Sequence, residues 1–208
     1  MKVNVLFSAL VMLLMTAVFS YAANPTANEA TIKDLKAAIT GESTASAKYA
    51  AYAKKAKDEG YNKVALLFEA ASKSESIHAG NHIAALEQLG VKMDKVTPKF
   101  EVNSTKENLK DAIKGESYEV ATMYPDFIKT ANKNKVNIAL LSFNYAYQTE
   151  KKHKVLYQNA LDQLNAGKEN MLASKYMVCS TCGNTYDGEA PNRCGISMTP
   201  RDRFITIQ

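Results

Sequence analysis

Asp34-Leu-Lys-Ala-Ala-Ile-Thr-Gly-Glu-Ser43 returns 74 residues later as Asn108-Leu-Lys-Asp-Ala-Ile-Lys-Gly-Glu-Ser117. A second echo follows, Glu75-Ser-Ile-His78 against Glu150-Lys-Lys-His153, at an offset of 75. These repeats divide the middle of the chain into two equivalent halves. From Asn24 to about Lys168 the sequence is rich in Ala, Lys, Leu and Glu, with apolar residues recurring at three and four, the period of a helix. Each half predicts two helices, at about 29–57, 63–89, 104–132 and 136–165. Short connections at Asp58-Glu-Gly60 and Asn132-Lys-Asn134 make each half an antiparallel pair. A longer crossover, Gly90 to Asn103 with Pro98 inside it, joins the halves, and Ser104 or Thr105 can cap the third helix. The expected architecture is a four-helix bundle with one long crossover. The alternative, a helical solenoid, usually needs three or more repeats.

The change of offset from 74 to 75 places one extra residue between Gly115 and Ala131, the stretch that also holds Pro125. An added residue inside a helix is absorbed as a π-bulge, or else the helix frays or breaks there. Pro125 lacks an N–H and is expected to kink the chain nearby.

Each half supplies one Glu from its first helix, Glu42 and Glu116, and a Glu-x-x-His from its second, Glu75/His78 and Glu150/His153. Residues three apart on a helix share a face, so each Glu and His can point inward together. One such pair on a Lys-rich helix is more often a solvated face. Two pairs, each matched to a Gly-Glu-Ser in the same repeat register, form the donor set of a di-metal carboxylate site. Four carboxylates neutralise two divalent cations, and imidazole adds a donor suited to iron or manganese. Two of the chain's three histidines, His78, His82 and His153, fall in the motif.

Gly115-Glu-Ser-Tyr-Glu119 followed by Met123-Tyr-Pro125 resembles the third helix of the rubrerythrins, and the other Glu and His motifs fall where that family has its ligands. The resemblance runs from about residue 29 to 208. It implies a ferritin-like bundle holding two iron ions. It also implies that Glu119 is a further ligand, exchanged for His78 on one iron as the pair is reduced. Ala45 stands at the matching position of the first half, so the site should be asymmetric. By the same resemblance, Glu42 and Glu116 are the bridging carboxylates. Tyr49 and Tyr124 lie seven and eight residues after Glu42 and Glu116, the difference being the inserted residue. Both should face the site as hydrogen-bond donors; otherwise they are ordinary core tyrosines.

Composition shifts after Lys168: all three Cys and all three Arg lie in the last 30 residues. Cys179-Ser-Thr-Cys182-Gly183 and Cys194-Gly-Ile-Ser197 resemble a small rubredoxin-like β module, with Tyr176, Tyr186 and Phe204 as its aromatic core. The family pattern has a fourth Cys where Ser197 stands. Three readings stay open: a mononuclear iron or zinc site using Cys179, Cys182, Cys194 and Ser197, water or an open position; a purely structural module; or a Cys179–Cys182 disulfide with Cys194 free. The domain plan is therefore a leader at 1–22, a di-iron bundle at 23–168 and the rubredoxin-like module at 174–208.

The leader reading rests on Lys2, the apolar run Val5 to Phe19 and the small residues before Ala23. An uncleaved anchor is the alternative, although the run is near the lower limit for spanning a bilayer. An exported, periplasmic protein without stable membrane insertion is expected. A net charge of +5 is too weak to argue for nucleic acid, and no Gly-rich dinucleotide motif occurs. The resemblance implies a peroxidase that reduces hydrogen peroxide with electrons from a donor protein. It further implies a homodimer in which the partner's sulfur centre serves each di-iron site. The rival is an iron-handling protein that oxidises ferrous iron with oxygen; a third option is a redox-inert metal binder.

Overall fold

A computed structural model describes residues 25–208, so the leader at 1–22 lies outside the described residues. Helix α1 runs Pro25–Asp58, α2 Asn62–Gln88, α3 Thr105–Tyr118, α4 Tyr124–Lys133 and α5 Asn137–Asn165. A π-helical turn, Glu119–Met123, joins α3 to α4 in one helical path. The third helix of the bundle is thus α3, the π turn and α4 together. The first helix begins a little earlier than expected, at Pro25, a residue whose missing N–H costs nothing in a first turn. Ser104 caps α3 in a reciprocal capping box with Glu107. Among the described residues no helix is long and apolar enough to cross a membrane.

The extra residue is therefore housed in a widened turn, and the helix does not break. An α-helix advances about 100° per residue, so eight residues in regular α form would swing Tyr124 away from the face of Glu116. The π turn absorbs that rotation. It also relieves the clash that the Pro125 ring would make with the carbonyl four residues back.

Two apolar clusters fill the bundle. One gathers Tyr49, Tyr52, Phe68, Leu109 and Tyr157. The other gathers Leu35, Ile39, Leu86, Tyr124 and Phe143, roofed by Val91, Met93 and Val96 of the crossover. On every helix the motif glutamate lies between residues of the first cluster and residues of the second. The polar site is consequently a belt across the middle of the core, closed by apolar packing at both ends.

After α5 the chain forms a three-stranded antiparallel sheet ordered β2-β1-β3, with β1 at Tyr176–Cys179, β2 at Thr185–Asp187 and β3 at Phe204–Ile207. Tyr186 and Phe204 pack with ring centroids 5.8 Å apart, as expected of a small aromatic core. Tyr176 does not join them. With Leu172 and Val178 it extends the first cluster of the bundle, because alternate β1 side chains face the helices. The module is docked on α2: Ser74 Oγ donates to the Gly183 carbonyl at 2.8 Å and Asn81 Nδ2 to the Thr181 carbonyl at 2.9 Å.

Candidate metal centre

The helical repeat brings the motif residues to one place. Two overlapping donor groups form, Glu42, Glu75, His78 and Glu150, and Glu75, Glu116, Glu150 and His153. Within each group the potential ligand atoms all lie within 4.8 Å of one another. All six side chains are essentially removed from solvent. Glu75 and Glu150 belong to both groups, whereas Glu42 and Glu116 belong to one each. The shared carboxylates are therefore those of the second and fourth helices of the bundle, not Glu42 and Glu116 as the resemblance implied. The reason is positional: each Glu-x-x-His carboxylate reaches its own imidazole and the opposite one. His78 Nδ1 lies 2.8 Å from both Glu75 Oε2 and Glu150 Oε1. His153 Nδ1 lies 2.7 Å from Glu150 Oε2 and 3.2 Å from Glu75 Oε1.

Glu119 lies on the π turn and is in neither group. It is partly buried and feels the same charges. Burial, then Glu42 and Glu116, push its carboxyl well above the usual range. The structure therefore places it beside the carboxylates and outside both donor groups.

The donors fit a pair of cations. Glu42 Oε2, Glu75 Oε1, Glu116 Oε2, both oxygens of Glu150 and His153 Nδ1 are buried without a well-directed hydrogen bond, their short approaches being only to one another and to His78. Such atoms are costly unless something positive faces them. Metal-free, the cluster compensates by holding protons. Burial, followed by the charge of Glu75, raises the Glu42 carboxyl to about 8. Burial and Glu150 raise Glu116 well above its ordinary value. Burial alone would raise Glu150 too, but the adjacent His78 and His153 pull it below the carboxylate range. For the two imidazoles burial works downward, and the carboxylates outweigh it.

The hydroxyls hold the remaining carboxylates crosswise. Tyr49, on α1, donates to Glu116 Oε1 at 2.8 Å, and Tyr124, on α4, donates to Glu42 Oε1. Each tyrosine thus serves the glutamate of the other half. Both phenols are buried.

The outer nitrogens of the two motif histidines are held by the C-terminal module. His78 Nε2 lies 3.0 Å from the Cys182 carbonyl, which can only accept, so Nε2 carries the hydrogen and Nδ1 faces the site. His153 Nε2 lies 3.0 Å from Thr185 Oγ1. A ligating imidazole is commonly oriented by such an outer hydrogen bond. Neither Cys182 nor Thr185 could be foreseen in this role, because the contact spans 104 residues in one case and 32 in the other. The third histidine was also missed. His82 is buried, with Nε2 3.1 Å from the Tyr124 hydroxyl and Nδ1 2.6 Å from Ser142 Oγ. Its signal was present: it lies four residues after His78, and its repeat partner 75 residues on is another polar aromatic, Tyr157.

In the module Cys179, Cys182 and Cys194 are free thiols and form a third potential metal group. Cys182 Sγ and Cys194 Sγ are 3.5 Å apart. Ser197 Oγ lies 3.3 Å from Cys179 Sγ. Hydrogen bonding from Cys182, aided by Ser197, lowers the Cys179 thiol to about 4. Three sulfurs and one hydroxyl fit a single iron or zinc ion. Within the single chain, the module's own Cys182 and Thr185 lie against His78 and His153 of the belt.

The sequence model of the rubrerythrin family matches residues 33–161. Nigerythrin of Nitratidesulfovibrio vulgaris is 36% identical over 180 residues, covering 86% of this chain and 87% of that protein. Rubrerythrin-2 of Clostridium acetobutylicum is 33% identical over 178 residues, covering 85% and 96%. A solved structure of nigerythrin in its fully reduced, all-ferrous state superposes with a TM-score of 0.77 at 33% identity, covering 85% of this chain and 86% of that one. The chain therefore belongs to the rubrerythrin family, and its buried Glu–His belt is a candidate di-iron centre.

Proposed function

We propose that this protein is an exported di-iron peroxidase that reduces hydrogen peroxide to water in defence against oxidative stress. The observation that carries this reading is the link between the two sites. The His78 ring offers Nδ1 to the carboxylate belt, while its Nε2 hydrogen-bonds the carbonyl of Cys182, a residue of the sulfur triad. A bundle that only stored or oxidised iron would need no such connection to a sulfur centre. The all-ferrous nigerythrin structure supports iron as the metal.

Glu42, Glu75, Glu116, Glu150, His78 and His153 would hold the pair, and Cys179, Cys182, Cys194 and Ser197 the single ion. When bound, the ferrous pair supplies two electrons and Lewis acidity to peroxide. The chain supplies the rest. Tyr49 and Tyr124 keep Glu116 and Glu42 aimed inward. The apolar clusters exclude bulk water from both ends of the belt. Glu119, the partly buried carboxyl on the π turn, stands beside the site, where it would be a further ligand or a proton donor. If the single ion were iron it would accept electrons from a donor protein, and the hydrogen bond from His78 Nε2 to the Cys182 carbonyl would connect its ligands to the belt. The apolar run Val5 to Phe19 directs export to the periplasm; N-terminal sequencing of the mature protein should begin at Ala23.

The test is anaerobic loading with ferrous iron, then stopped-flow oxidation by peroxide and by oxygen in separate runs. Much faster oxidation by peroxide, lost in Glu75→Ala, is expected. Equal or faster oxidation by oxygen, with more than two irons oxidised per chain, would replace the peroxidase with a ferroxidase.

A further inference from the structure

His82 is a fully buried imidazole that the metal set does not use. Its hydrogen bonds can be assigned by elimination. When Glu42 is ionised, as a metal ligand must be, the single hydroxyl hydrogen of Tyr124 goes to it. The Tyr124 oxygen must therefore accept from His82 Nε2, so Nε2 carries the ring hydrogen. Nδ1 is then bare and accepts from the Ser142 hydroxyl at 2.6 Å. Every donor in this series points the same way, from Ser142 to His82 to Tyr124 to Glu42. With one donating and one accepting nitrogen, the ring in this series is a neutral imidazole. Phe143 and Tyr124 wall it in, with ring centroids at 5.4 and 6.1 Å.

The outer end of the series reaches the surface. Ser142 is 5% exposed and lines a surface cavity of about 100 Å³ together with Asn81, Leu141 and Tyr145. The other half of the bundle has no equivalent. Tyr49 donates to Glu116, but Tyr157 stands at the repeat position of His82, and its buried hydroxyl has no hydrogen-bond partner. That side ends among the rings of Tyr52, Phe68 and Tyr157.

We propose that Ser142, His82 and Tyr124 form a one-sided proton wire from the surface cavity to Glu42. Its use in turnover rests on the peroxidase reading. Reducing one hydrogen peroxide to two waters consumes two electrons, from the ferrous pair, and two protons, which must cross a dry core. In one passage a hydronium in the cavity gives a proton to Ser142 Oγ and is left as water, and Ser142 gives its own to His82 Nδ1. His82 passes the Nε2 hydrogen to the Tyr124 oxygen, and Tyr124 passes its hydrogen to Glu42 Oε1, from which it would go on to an oxygen of the bound peroxide. Ser142, His82, Tyr124 and Glu42 each gain one proton and lose one, and the imidazole is left with its hydrogen on Nδ1. The ring must return to the Nε2–H form before it can carry another, so the wire accounts for one of the two protons. His82 and Ser142 act through Tyr124 and are positioning residues.

The experiment uses the mature chain loaded with zinc, which is diamagnetic and gives no turnover, with ¹⁵N-labelled histidine. NMR should show His82 as the Nε2–H tautomer. Exchange of that hydrogen with solvent should slow several-fold in Ser142→Ala and recover in Ser142→Thr, which keeps a hydroxyl. Merely loosening the core would speed exchange. An Nδ1–H tautomer, or exchange in Ser142→Ala that is unchanged or faster, overturns the wire. If Ser142→Ala does not fold, His82→Gln replaces it, read as the exchange of the Tyr124 hydroxyl hydrogen, which should likewise slow; unchanged or faster exchange again overturns the wire. In the iron-loaded protein kcat for peroxide should fall several-fold in Ser142→Ala with KM unchanged. An iron-loaded wild type that ignores peroxide while the zinc result holds removes the peroxidase reading and leaves the wire standing.

Discussion

At the scale of single residues, four carboxylates in a dry belt are a burden that the chain carries only with positive charge beside them. Metal-free, that charge is protons. The Glu42 carboxyl is raised from 4.5 to about 8, and His78 and His153 are raised well above 6.5. A group whose folded pKa is raised adds stability that is fully present below its unfolded pKa and is lost as pH climbs through its folded one. All three therefore act in the same direction. The lowered pKa of Glu150 acts only below its unfolded value of 4.5 and is constant above about pH 5. The metal-free protein should thus lose stability from about pH 5 to about pH 8. Bound cations replace those protons, so their benefit should grow over the same range. We expect the difference in Tm between zinc-loaded and metal-free protein to widen by at least about 3 °C between pH 5.5 and 8, the shift that about 1 kcal/mol makes in a chain of this size. Calorimetry at matched ionic strength measures it. A constant difference would mean that the belt does not exchange protons for metal.

At the scale of elements, the π turn at Glu119–Met123 is the feature on which the symmetry of the site depends. The two tyrosines differ by one residue in their spacing from the preceding glutamate, yet each reaches the glutamate opposite. Deleting Ala121 should restore a regular α-helix with seven residues from Glu116 to the tyrosine, the spacing that already suits Tyr49, so the ring should stay on the same face. Inserting one Ala after Ala121 instead exceeds what one π turn absorbs and should turn Tyr124 by about 100°. Glu116 and Glu119 precede both changes and should stay in place. With the insertion Glu42 would lose its hydroxyl donor, and zinc affinity should fall by about 10–100-fold, the usual cost of losing a group that orients a ligand. Competition with a chromophoric chelator would report it. Unchanged affinity in the insertion variant would mean that the π turn does not set the register of Tyr124. The capping box of Ser104 and Glu107 starts this same helix, so its register is set at the first turn and corrected at the π turn.

At the scale of the whole molecule, the C-terminal module completes the metal site of the bundle. Gly183 makes that contact possible. Its φ of +77° lies in the left-handed region, and a Cβ there would fall 2.4 Å from His78 Nε2 and 2.6 Å from Ser74 Oγ. Gly183→Ala should therefore force the module off α2, with a cost of about 1–3 kcal/mol from overpacking. His78 would lose the Cys182 carbonyl that orients it. Two effects are expected together: faster proteolysis within residues 166–175, and weaker metal binding in the bundle although no ligand has changed. Retained docking with normal metal affinity would show that the module and the site are independent.

Much of this was legible in the residues themselves. The repeat of Leu-Lys-x-Ala-Ile-x-Gly-Glu-Ser defined two halves, and helical spacing put Glu75 with His78 and Glu150 with His153, because i and i+3 share a face whatever the tertiary context. The jump from 74 to 75 located the π turn. A single di-metal site built from one Glu of each first helix and one Glu-x-x-His of each second also followed, since the repeat supplies each donor twice. What stayed hidden depends on contacts between distant segments. Glu75 and Glu150, rather than Glu42 and Glu116, are shared between the two donor groups, which only the meeting of α2 and α5 could decide. Glu119 stands beside the belt and outside both groups. Tyr176 packs into the bundle instead of the module. The roles of Cys182 and Thr185 arise from hydrogen bonds spanning 104 and 32 residues, for which local periodicity carries no signal, and His82, although its helix face was legible, owes its partners Ser142 and Tyr124 to packing. The sequence by itself determined which side chains share a helix face, because covalent geometry and the helical period set that. Only the tertiary structure decided which faces meet, because packing selects one arrangement from many that the same amphipathic pattern allows.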